Sequence, residues 1–146
     1  MARCARLARR ATVWGGLLLA VVAGCAVGAE ASDMEDACGA GYRQHAEVSG
    51  EWMDGMTVYL SGDRAGDLAQ KNDGQATMDE AKATWTGLLR GYSARDVTPT
   101  LRTALADAGD TVAELDPPFA DADAEVSRIS TDWAAACAAN NTPVAQ

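Results

Sequence analysis

The chain has 146 residues, about the size of one domain. Its formal net charge is −9 at pH 7, with 12 Lys and Arg against 21 Asp and Glu, and this argues against nucleic-acid partners, whose phosphates need a positive field. At 48% hydrophobic it is too apolar for a disordered acidic tail, and at 5% aromatic it is short of the residues that build sandwiches and barrels.

Arg3, Arg6, Arg9 and Arg10 form a basic start, followed by an uncharged apolar run from Val13 to Ala23. Spanning a bilayer takes about 20 apolar residues, so the run predicts a cleaved signal peptide over 1–24, not a permanent anchor. Cys4 leaves with it.

Val22-Ala23-Gly24-Cys25 resembles the lipobox of bacterial lipoproteins: an aliphatic residue, two small residues and a cysteine. That resemblance implies cleavage before Cys25 and diacylation of its thiol, with acyl chains such as palmitate. Two chains hold a protein at a membrane where one holds it only marginally. Residues 25–32 then form the lipidated cysteine and a tether of at most about 20 Å after it. Cleavage removes four arginines and leaves 8 basic against 21 acidic residues, a net charge of −13. Anionic headgroups repel such a surface, so attachment falls to the lipid alone.

Cys38 and Cys137 remain as an isolated pair with no CxxC spacing. On the extracytoplasmic side they read as a structural disulfide joining the start of the domain to its end.

Ser32-Asp33-Met34-Glu35 matches a capping box. Cys38, Tyr42, His45, Ser49, Trp52, Met56 and Tyr59 then recur every three or four residues, predicting a first helix that ends near Gly62, with a kink expected at Ser49-Gly50. The polar stretch from Asp63 to Gly74 carries a turn signal at Asn72-Asp73-Gly74. Thr77 to Glu80 forms a second capping box, and Met78, Ala81, Trp85, Leu88 and Tyr92 define a second stripe. Thr98-Pro99 caps a third helix, striped by Leu101, Leu105, Ala108, Val112 and Leu115 and ended by Asp116-Pro117-Pro118. Ala122, Val126, Ile129, Trp133 and Ala136 mark a fourth, with a tail over 141–146.

The fold class is therefore all-α: an antiparallel up-down four-helix bundle over 33–140, closed by one disulfide. In that topology Cys38 and Cys137 fall at one end. Tyr42 and Trp133, each one turn from a cysteine, should meet there, with His45 one layer deeper.

Candidate chemistry is sparse. His45 is the single histidine, with Ser49 its nearest nucleophile, and no triad or oxyanion signature accompanies it. A partly buried histidine bonded to backbone or an acid is the expectation, with pH sensing as its functional alternative. Met53 and Met56 lack a third soft ligand for Cu(I). Asp121, Asp123, Glu125 and Asp132 imitate a calcium loop, but Val126 stands where its glycine belongs, and acids also suit a helix start. Trp85-Thr86-Gly87 spells the WxG tripeptide, which in its family lies at a turn; here it falls inside a helical stripe. No metal site, cofactor or catalytic group is expected, and the chain reads as no enzyme. Tyr42, His45, Trp52, Trp85 and Trp133 form the candidate core or ligand cluster.

Ten arginines against two lysines and the abundance of alanine suggest a high-GC genome. With the lipobox, the terminal cysteine pair and the Trp133…Cys137 ending, the chain resembles the small Ala-rich helical lipoproteins of actinobacteria. The resemblance implies a lipid-anchored protein at the extracytoplasmic membrane face and carries over one residue, Cys25. The expected function is a non-enzymatic interaction module with an envelope-protein partner. The alternative is a binding protein for a small apolar or cationic ligand held between the helices.

Overall fold

The computed structural model describes residues 32–117, 119 and 121–144. Helical residues 32–36 lead into a π-helical turn, Ala37–Gly41, and then into α1, Tyr42–Ala65. The others are α2, Leu68–Ser93, α3, Pro99–Ala113, and α4, Ala122–Ala138. Each packs antiparallel on the next, and α4 returns against α1, where the Cys38–Cys137 disulfide joins their ends with Cα atoms 5.8 Å apart. Among the described residues there is no strand, and no helix is long and apolar enough to cross a membrane.

The stripes bury as spaced. His45, Ser49, Trp52 and Met56 of α1 are buried, as are Leu101, Leu105, Ala108 and Val112 of α3 and Ile129, Trp133 and Ala136 of α4. On α2 it is Leu89, not the half-buried Leu88, that completes the line of Met78, Ala81, Trp85 and Tyr92. Thr98 caps α3 as its sequence predicts, accepting from Leu101 N with Pro99 in the first turn.

The first turn is misplaced in the sequence reading. α1 runs through Gly62 to Ala65, and the chain reverses at Gly66 (φ 69°), with Asp67 capping α2 by accepting from Ala69 N and Gln70 N. Asn72, Asp73 and Gly74 are inside α2, as is Thr77, whose hydroxyl bonds Asp73 O instead of capping a helix. Gly74 is there for close approach: a Cβ would lie 2.3 Å from Tyr59 N. Ser32 is itself helical, so a cap before it would lie outside the described residues. α1 continues through Ser49-Gly50, and its irregular turn lies instead at Ala37–Gly41, where two glycines weaken the helical ladder.

At 24 and 26 residues, α1 and α2 outrun α3 and α4, at 15 and 17, by roughly 15 Å at 1.5 Å per residue. The excess is a two-helix hairpin at the end away from the disulfide.

Candidate functional site

The proposed signal peptide, Cys25 and the tether up to residue 31 lie outside the described residues. What is described begins at the disulfide end, where residue 32 leads directly into the buried Cys38.

Beside the disulfide, Tyr42 and Trp133 meet edge to face, ring centroids 5.9 Å apart. One layer deeper His45 lies between Trp85 and Trp133, at 5.4 and 5.3 Å. It is 0% exposed. Trp85 Nε1 donates to His45 Nδ1 at 2.9 Å, and His45 Nε2 lies 2.8 Å from Ser130 Oγ, which donates to Val126 O at 3.0 Å. An indole nitrogen only donates, so Nδ1 must accept and the ring proton sits on Nε2. The ring is thus fully rather than partly buried, and its partners are two side chains, neither the backbone nor the acid expected from sequence. Burial lowers the pKa of His45 to about 4, so the ring is neutral at pH 7.

This geometry opposes base catalysis. To take a proton from Ser130, Nε2 would have to be bare, which moves the ring proton to Nδ1, against the Trp85 N–H. Ser49, the nucleophile nearest in sequence, bonds Ala46 O instead. The network thus has one proton arrangement, and that arrangement holds three helices together.

Trp52 stands apart from these aromatics, in a second core with Met56, Met78, Ala81 and Ala122. The side chain that completes it, Phe119, escaped the sequence reading because it sits in the α3–α4 linker, where no periodicity marks it. Its ring meets Trp52 at 5.5 Å and Tyr59 at 5.8 Å, both edge to face. Its backbone is left-handed, at φ 52°. That conformation costs a bulky residue about 1–3 kcal/mol. Lys82 of α2 secures the linker, donating to Leu115 O at 3.2 Å and Asp116 Oδ1 at 2.9 Å.

Of the acids that imitate a calcium loop, Asp121 immediately precedes α4 and the others lie in it, where Glu125 and Asp132 both pair with Arg128. Among the described residues no three His, Cys, Asp or Glu side chains converge as metal ligands. Met56 is buried in the second core and Met53 packs against it. Trp85-Thr86-Gly87 is interior to α2. The surface grooves are shallow; one of about 510 Å³ between α3 and α4 has Ala104, Ala108 and Ile129 in its walls, and another of about 540 Å³ lies between α2 and α3. Neither is lined by a tryptophan.

Fold and interior together define a disulfide-closed antiparallel four-helix bundle with two aromatic cores, one locked by His45 and one filled by Phe119. Comparison with protein-family models, with curated proteins and with solved structures gives no match.

Proposed function

We propose that the chain is a lipoprotein held at the extracytoplasmic membrane face by a diacylated Cys25, acting as a non-enzymatic interaction module of the kind found among small Ala-rich actinobacterial lipoproteins. The observation that carries this reading is Val22-Ala23-Gly24-Cys25 behind a basic and apolar leader. Two features of the folded part agree with it. The bundle's disulfide end directly follows the tether, so the lipid would hold that end at the membrane and present the α1–α2 hairpin away from it. The single histidine is committed to the interior, which leaves an acidic helical surface as the feature offered to an envelope protein.

Mass spectrometry of the protein extracted from its own membrane tests the anchor. A diacylglyceryl thioether on Cys25 at the new N-terminus is expected, and Cys25→Ala should move the protein out of the membrane fraction. An unmodified Cys25 overturns the anchor. Crosslinking in intact cells that captures no envelope protein overturns the interaction module.

The second reading is a binding protein for a small ligand. It draws on the groove of about 510 Å³ between α3 and α4, with Ala104, Ala108 and Ile129 in its walls, and not on any space between the three tryptophans, since Trp85 and Trp133 pack against His45 and Trp52 belongs to the other core.

A further inference from the structure

We propose that the groove between α3 and α4 is the docking face of the interaction module, and that it takes a basic amphipathic helix of an envelope protein. This rests on the interaction-module reading and names the face and the partner chemistry within it.

The groove of about 510 Å³ has the shape of a helix seat. Ala104 and Ala108 stand one turn apart on α3, with Ile129 opposite them on α4. Side chains as short as alanine keep a trough open, and a partner helix can lay a ridge of aliphatic side chains into it. From Pro99 to Ala108 the α3 wall runs about 14 Å at 1.5 Å per residue, which is between two and three turns of such a helix. The shallowness of the groove also favours a protein. A small-molecule pocket encloses most of its ligand, whereas an open trough would leave a small molecule largely in water.

Charge selects the kind of helix. Residues 99–138, which carry both walls, hold eight acids against two bases, Arg102 and Arg128. Both bases are already engaged. Arg102 donates to the carbonyls of Arg95 and Val97. Arg128, in the groove wall, pairs with Glu125 and Asp132 and donates to Thr111 Oγ1 at 3.1 Å. Asp107, in the facing wall, is exposed and has no ion-pair partner among the described residues. Asp107, Glu125 and Asp132 together therefore exceed Arg128 by two charges. A partner whose aliphatic ridge is flanked by lysine or arginine satisfies floor and walls at once, and an acidic helix of the same shape is repelled.

The test is photo-crosslinking in intact cells with the full chain, its leader and Cys25 included. Benzoylphenylalanine is placed at Thr100, exposed in the groove wall, or at Ala76, exposed on α2 in the hairpin. Thr100 should give an adduct, and mass spectrometry of the crosslinked peptide should show lysine or arginine beside an aliphatic stripe at helical spacing. Asp107→Asn with Asp132→Asn should cut the adduct yield at least about threefold. Asp54→Asn with Asp73→Asn, the same change of net charge placed on α1 and α2, should leave it unchanged. Ala104→Leu, which fills the groove without altering charge, should abolish the adduct. Asp107 and Asp132 are exposed, so their variant carries the test even where Ala104→Leu fails to fold.

An adduct at Ala76 with none at Thr100 overturns the groove and leaves the interaction module standing. No adduct at either position also overturns the groove, and the module is then judged by the general crosslinking above. A Thr100 adduct whose segment lacks bases, or whose yield ignores Asp107 and Asp132, overturns the basic helix.

Discussion

Trp85 donates its indole N–H to His45 Nδ1 at 2.9 Å, and this bond sets the tautomer of the single histidine. It ties α2 to α1, and the opposite ring nitrogen then ties α1 to α4 through Ser130. A polar chain inside an Ala-rich core specifies which helix faces which, because any other arrangement would strand a buried donor or acceptor.

Trp85→Phe and Trp133→Phe make a controlled pair. Both side chains are almost wholly buried and both lose the same atoms. Trp85 N–H serves His45, whereas Trp133 Nε1 is buried with no hydrogen-bond partner among the described residues. Urea unfolding should show Trp85→Phe the more destabilising, by about 1–3 kcal/mol. Equal losses would mean that the bond contributes nothing net.

Stability should fall with acid in a defined window. His45 titrates at about 4 in the fold, against an ordinary value of 6.5, because burial disfavours its charged form. As pH drops below about 6.5, the unfolded chain takes up the proton first, so the folded state loses ground down to about pH 4. The total is about 3 kcal/mol, and above pH 6.5 this contribution is constant. The difference in unfolding free energy between the wild type and His45→Gln should shrink by about that amount from pH 7 to pH 4. A difference that stays flat would falsify the neutral, buried histidine.

Cys38 and Cys137 close a span of 99 residues and both are 0% exposed. The paired Cys38→Ser, Cys137→Ser variant should lose up to about 4–5 kcal/mol in urea unfolding. Dithiothreitol should reduce the native protein only as fast as that end of the bundle opens. Rapid reduction without loss of helix signal would contradict the burial.

Gly74 and Gly87 lie in one helix and should respond oppositely to alanine. At Gly74 the new methyl group would collide with the backbone of α1, and a loss of about 2 kcal/mol or more is expected. At Gly87 the added Cβ meets nothing within 4 Å, so better helix propensity should stabilise by about 0.5–1 kcal/mol. Thermal unfolding of both variants checks the pair.

The sequence misread the first turn for a physical reason. Gly66-Asp67 and Asn72-Asp73-Gly74 both carry turn chemistry, and local propensity favours the second. What decides is that α1 and α2 touch backbone to backbone near Tyr59, and only glycine at 74 permits it. A glycine needed for contact is written with the same letter as one needed for a turn.

The sequence by itself determined the helical stripes, the Thr98-Pro99 cap, the bundle topology and the meeting of Tyr42 with Trp133. These follow from a 3.6-residue period and from two cysteines that one topology brings to one end. Tertiary structure alone decided that His45 answers to Trp85 and Ser130, and that Phe119 completes the core of Trp52. Those partners lie 40, 85 and 67 residues apart along the chain. Periodicity tells which way a side chain faces, but which groups face each other at one height depends on where every helix starts and how the linkers fold back.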